Sequence, residues 1–185
     1  IGFPVALKGV ARGLIHKSDV GAVKLNIPDV AVLRSAFVHI QGAIADNAPG
    51  LEFQGCLVTE MAVGGVAEAF VGAAWDSQHG PGVLVGAGGV LVEVIKDVKL
   101  AAAPVSTTKA QSMIESLQTF PLFDGARGRP KADVAALADI VHRVSLLATY
   151  LGPRLEELDV NPVIVRAAGE GATAVDARAV WPTTE

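Results

Sequence analysis

Apolar and polar positions recur along this chain with readable periods. Phe3 to Lys8 (FPVALK) is an apolar run closed by a charge, the pattern of a short buried strand. Residues 9–21 form a polar, glycine-containing connection, and Ala22 to Ile27 returns to strand-like alternation. Pro28-Asp29 opens a helix in which Val30, Leu33, Phe37, Ile40 and Ile44 recur at three- and four-residue steps and share one face. Asn47-Ala48-Pro49-Gly50 stops it. Gln54 to Met61 reads as a strand, followed by a turn over 62–65 and a further strand around Glu68 to Ala74. The middle is glycine-rich, with Gly80-Pro81-Gly82, Gly86, Gly88 and Gly89 set among Val and Leu strand residues. A helix follows over about 107–117, then the loop GARGRPK (125–131), then a long helix with Val134, Leu137, Val141, Val144 and Leu147 on one face. Leu155 to Val165 and Thr173 to Asp176 read as a closing hairpin.

Helices and strands mix without strict βαβ alternation, so an α+β layering is expected over a doubly wound sheet. The length of 185 residues, 51% of them hydrophobic, supplies enough apolar surface for one full domain or two small subdomains, and argues against disorder. A net charge of −4 lacks the bulk positive charge that phosphate-backbone binding calls for, so nucleic acid is not an expected partner. The longest uncharged apolar run, 80–92, falls short of the roughly 20 residues of a membrane span, and no membrane partner is expected. The lone cysteine, Cys56, forms no internal disulfide or cysteine-based zinc site, which suits a reducing, cytoplasmic setting. The chain opens on Ile1, close to a strand; this suggests a fragment of something longer, with a processed terminus as the alternative.

Several residues could carry chemistry. GxxxxGK[ST] is absent, and the pattern from Gly86 has no glycine at its sixth position, so neither phosphate-loop fingerprint is met. Gly88-Gly89 allows either a tight turn between strands or close approach of backbone amides to an anion. His16, in the loop sequence HKSD, is a candidate nucleophile, because a neutral imidazole accepts a phosphoryl group near neutral pH. Lys8 ends a predicted buried strand, where an ammonium either faces an anion or snorkels to solvent. Glu60 and Glu68 bracket a turn; they are either solvent-facing acids or acceptors for sugar hydroxyls. Asn161 and Asp176 face one another if their segments pair, which gives either a capped turn or a hard-oxygen pair suited to Mg²⁺. Ser-His-Asp, HExxH and CxxC signatures are absent, so hydrolase and zinc readings have no footing.

Taken in order, GFPVALK, LIHKSDVGAVKL, CLVTEMAVGGVAEAFVG, DSQHGP, GAGGVLVEVIKDV, GARGRP and ELDVNPVIV with AVDAR resemble the ATP-grasp domain of NDP-forming (ADP-forming) acyl-CoA synthetases, relatives of succinyl-CoA synthetase, across essentially the whole chain. The resemblance implies an ATP-grasp fold: two α/β subdomains, over roughly 1–75 and 76–185, with mixed or antiparallel sheets flanking a nucleotide site. It implies the reaction acyl-CoA + ADP + phosphate ⇌ carboxylic acid + CoA + ATP, with ATP/ADP and Mg²⁺ as cofactors. Lys8 would contact nucleotide phosphates. Glu60 would lie in the adenine–ribose hinge with Val58 and Met61 near the base, and Glu68 would bind ribose. Asn161 and Asp176 would hold Mg²⁺, and His16 would be the phosphohistidine that relays the phosphoryl group.

Three departures from the family pattern accompany the resemblance. The family pattern would have a further segment ahead of GFPVALK, where this sequence opens. The loop reads Val20-Gly21-Ala22 where Gly-Gly is usual. By the resemblance, the CoA-binding domain, or α subunit, that holds the acyl-CoA or carboxylic acid would lie elsewhere, and this chain would perform at most the half-reaction ATP + His16 ⇌ ADP + phospho-His16. The alternative is a non-catalytic, acyl-CoA synthetase-like regulatory region of a GNAT-type acetyltransferase, which would not need the nucleophile.

Overall fold

The computed structural model describes residues 1–14, 17–89 and 97–182, which form two compact units, Ile1–Val63 and Gly64–Glu185. The division falls earlier than the expected boundary near residue 75. The reason is that the strand carrying Glu68 pairs only with strands of the second unit.

The first unit holds β1 (Val5–Ala11), β2 (Val23–Ile27), α1 (Val30–Asn47) and β3 (Phe53–Glu60). Its antiparallel sheet has the order β2-β1-β3. Asp29 caps α1, its Oδ1 accepting the Val32 N–H at 2.9 Å. The buried face of α1 is Ala36, Ile40 and Ile44, with Leu33 partly covered. Two residues expected on that face, Val30 and Phe37, are exposed. Phe37 instead meets the rim residue Phe53 edge-on, ring centroids 5.6 Å apart, while small Ala36 lets the helix lie close to the sheet.

β1 runs three residues past Lys8, so Lys8 lies inside the strand rather than at its end. Gly9 makes this possible. A Cβ there would stand 2.7 Å from Ile44 Cδ1 and 2.8 Å from Ile40 Cγ2, so only glycine fits beneath α1.

The second unit holds β4 (Ala67–Asp76), β5 (Gly80–Ala87), β6 (Val98–Ala102), α2 (Thr107–Glu115), α3 (Val134–Leu151), β7 (Glu157–Val165), β8 (Ala172–Ala174) and β9 (Ala177–Val180). The strand order is β6-β5-β4-β7-β8, with β9 also on β7, and every described pairing is antiparallel. Val71, Val83, Val85, Val163 and Val165 are buried beneath α2 and α3.

α3 buries Leu137, Val141, Val144 and Ala148; Leu147, expected in that stripe, is exposed. Ser145 is buried instead, its hydroxyl accepting the Val105 N–H at 3.0 Å and donating to the His142 carbonyl at 2.7 Å. A loop amide buried by the helix needs such a partner. By length and composition α3 could cross a membrane, yet its buried stripe lies on the sheet. Asp133 caps it through Ala136 N–H at 3.0 Å, and the other carboxylate oxygen accepts from Gly169 at 3.0 Å and Gly171 at 2.9 Å, tying the β7–β8 loop to the helix start.

Candidate functional site

Lys8, Val58, Glu60 and Met61 belong to the first unit, and Glu68, Asn161 and Asp176 to the second. His16 lies outside the described residues. The connection that carries it is pinned where it is described. Leu14 N–H donates to the Ala11 carbonyl at 3.1 Å, Ala22 N–H to Lys17 at 2.8 Å, and Gly9 N–H to Ala22 at 2.7 Å. Asn47 of α1 donates from Nδ2 to the Val20 carbonyl at 3.3 Å.

Within the first sheet Leu7 is buried under α1, so by strand alternation Lys8 presents its half-buried side chain on the opposite face. Leu57 of β3 and Val23 of β2 stand directly across from it. Val58 stands opposite Leu7 and packs against the helix-covered core. Glu60, the exposed last residue of β3, is opposite Val5, and half-buried Met61 follows it out of the strand.

In the second sheet Glu68 is exposed and lies opposite Ile164. Its carbonyl accepts the Gly88 N–H at 2.7 Å. A Cβ on Gly88 would stand 3.0 Å from the β4 backbone, and one on Gly89, at φ +71°, 3.2 Å from Glu68 Oε2. At Gly88 the structure supports close strand packing, because that amide is spent on the Glu68 carbonyl of β4. The same packing sets the Glu68 carboxylate over the end of β5.

Asn161 and Asp176 come together through a register break. Val71 and Ala69 of β4, two residues apart, pair with Val160 and Val163 of β7, three apart, so β7 carries one extra residue at Asn161-Pro162. There β7 leaves β9 and joins β8. In the gap Asn161 N–H donates to the Asp176 carbonyl at 3.1 Å, and Val175 N–H to Pro162 at 3.1 Å. The closing segment is therefore two short strands with Asp176 between them, where one strand over 173–176 was expected.

Asp159, not among the expected site residues, lies two residues before Asn161 in LDVNP, the spacing that signals it in the sequence. It is half-buried opposite Arg178 on β9. Burial pushes its carboxyl up, Glu157 and Asp176 push the same way, and Arg178 offsets part of this. The donors gathered at this bulge are a carboxamide and carboxylates. Among the described residues no group of three or more His, Cys, Asp or Glu side chains could hold a metal. One or two hard oxygens, with phosphate and water completing the shell, fit Mg²⁺ and fit poorly the N/S preference of zinc.

A family model described as the ATP-grasp domain matches residues 1–180. The chain is 39% identical over 180 residues to subunit beta of the ADP-forming acetate–CoA ligase I of Pyrococcus furiosus, covering 97% of this chain and 76% of that one. Among solved structures, it aligns at TM-score 0.91 and 38% identity with the dinucleotide-forming acetyl-coenzyme A synthetase 1 of Ca. Korarchaeum cryptofilum in complex with coenzyme A, Ca-AMPCP and HgCl⁺, over 98% of this chain and 78% of that chain. A second structure of that synthetase, with coenzyme A and Mg-AMPPCP and with its phosphohistidine segment pointing towards the nucleotide binding site, aligns at TM-score 0.82 and 37% identity, over 98% and 78%. The order of elements, the antiparallel sheets and these likenesses agree: the chain belongs to the ATP-grasp domain family, on the branch of the ADP-forming CoA ligases.

Proposed function

We propose that this chain is the nucleotide-binding and phosphoryl-relay domain of an ADP-forming acyl-CoA synthetase. The observation that carries the reading is the β7 bulge that sets Asn161 beside Asp176 on the strand whose next residues face Glu68. Each residue then has a chemical task. The Lys8 ammonium opposes phosphate charge. In the first unit Glu60 would accept hydrogen bonds from nucleotide hydroxyl or amino groups, with Met61 near the base, whereas Val58, expected beside it, turns its side chain into the helix-covered core; in the second unit Glu68 would accept from the ribose. Asn161 and Asp176 would hold Mg²⁺, which neutralises phosphate charge when bound.

His16 takes the phosphoryl group: an imidazole nitrogen attacks the γ-phosphorus, a P–N bond forms, and the P–O bond to the β-phosphate breaks with its electron pair leaving on ADP. The acyl-CoA half of the chemistry belongs to a CoA-binding domain or α subunit; the Pyrococcus relative, itself a beta subunit, supports such a partner. A cytoplasmic setting is part of the same proposal. The relatives reported above are ligases and lend no support to the regulatory reading.

The test is labelling with γ-labelled ATP and Mg²⁺, comparing the chain with His16→Ala. Acid-labile, alkali-stable label that disappears in the variant is the expected result. Equal labelling of both, or none in the full-length parent protein, overturns the relay.

A further inference from the structure

The face of the second sheet turned away from α2 and α3 is laid out along β7. Asn161 stands at the bulge beside Asp176, Ile164 comes next on that face opposite Glu68, and Arg166 lies just past the strand end. Asn161 and Arg166 are thus roughly 15 Å apart by strand rise, comparable with the length of a nucleoside diphosphate. Arg166 is held at several points, its own N–H donating to the Gly171 carbonyl at 3.0 Å. Its carbonyl accepts the Asp133 N–H at 2.8 Å. Its Nη1 donates to Thr173 Oγ1 at 2.9 Å, and Thr173 is the cross-strand partner of Ile164, so the guanidinium folds back along the Ile164 face. Its Cδ lies 3.9 Å from where a Cβ on Gly64 would sit, at the segment leading into β4 and Glu68.

We propose that Arg166 selects the nucleobase. The inference rests on the nucleotide reading above: with phosphates at Asn161 and Asp176 and ribose at Glu68, the base falls at the Gly64–Arg166 end of the row. A guanidinium offers five N–H donors and no acceptor. It therefore favours a purine that presents an acceptor at position 6, as guanine does with O6, over adenine with its N6 donor. Arg166 raises the affinity for GDP relative to ADP, and the Thr173 hydroxyl holds it in the orientation that does so.

The experiment is titration of the chain with ADP, GDP and IDP in the presence of Mg²⁺, for wild type, Arg166→Ala and Thr173→Val. Arg166→Ala should lower the GDP-to-ADP affinity ratio by about tenfold, with IDP following GDP and ADP affinity held within about threefold. Thr173→Val should lower the ratio by a smaller factor. Should Arg166→Ala fail to fold, Arg166→Lys, which keeps the charge and loses the planar fork, should still lower the ratio. An unchanged ratio with both nucleotides bound overturns base selection and leaves the nucleotide reading standing. Equal loss of ADP and GDP in the variant shows a structural strut and also overturns it. Failure of wild type to bind any of the three nucleotides removes the nucleotide reading itself.

Discussion

The Asn161 amide donates to the Asp176 carbonyl at 3.1 Å, across the point where β7 exchanges one strand partner for another. Fifteen residues apart in the chain, the two are neighbours because β7 carries one residue too many for β4. Bulges beside functional sites re-aim side chains in this way.

If this pair holds Mg²⁺, Asn161→Ala and Asp176→Ala should each abolish the Mg²⁺-dependent tightening of ADP binding, a loss of at least about tenfold. Calorimetric titration with and without Mg²⁺ measures it. Metal linkage that survives both changes removes the assignment.

Glu60→Ala and Glu68→Ala should weaken nucleotide binding by about 1–2 kcal/mol whether or not metal is present, since each acts through hydrogen bonds to the nucleoside. Unaltered affinity would return both to solvent-facing acids. Gly89→Ala should weaken binding along with Glu68→Ala, because a methyl group there presses on the carboxylate and strains a positive-φ turn.

Asp159 yields a pH prediction. Its native carboxyl is raised above the ordinary value near 3.9. The folded state thus holds the proton more tightly than the unfolded one, and stability falls as pH rises from that value through the raised native one. The penalty is complete once pH lies above the raised native value. Asp159→Asn should raise Tm at pH 7 by roughly 1–3 °C, discounted for partial exposure, with a smaller gain at pH 4. A larger gain at pH 4 contradicts it.

Asp133 behaves in the opposite sense. The Ala136 amide holds its carboxyl below the usual range; burial opposes this, and the Gly171 and Gly169 amides add to the lowering. The stability it confers is present above the unfolded value near 3.9 and lost as pH falls through the lower native value. Asp133→Ala should cost about 2 kcal/mol in urea unfolding at pH 7, because it removes a helix cap and the tether of the β7–β8 loop together. A cost indistinguishable from zero would show that loop and helix hold without it.

Gly9→Ala should destabilise by about 1–3 kcal/mol through overpacking against Ile40 and Ile44. Equal denaturation midpoints for variant and wild type would mean that α1 can lift from the sheet at no cost.

By itself the sequence determined the element order, the helix starts and the residues with chemistry to offer. Those depend on local matters: Asp29 caps the helix that Pro28-Asp29 was expected to open, and apolar periods of two and 3.6 reflect backbone geometry. The ordered motif blocks determined the family by the same route. Which residues close each core was legible only in part. Phe37 and Leu147 carry the right period yet lie exposed, while Ala36, Ser145 and Ala148 are buried, because the distance between helix and sheet selects small side chains and a loop amide demands a hydroxyl. Tertiary structure alone decided the rest. Lys8 became a mid-strand residue because Gly9 admits α1. Gly88 became a packing position because β4 takes its amide. A bulge in β7 set Asn161 beside Asp176 with Asp159 two residues before it, and a cross-strand bond laid Arg166 along the Ile164 face. Register, strand exchange and close approach are properties of pairs of segments, and no single segment encodes them.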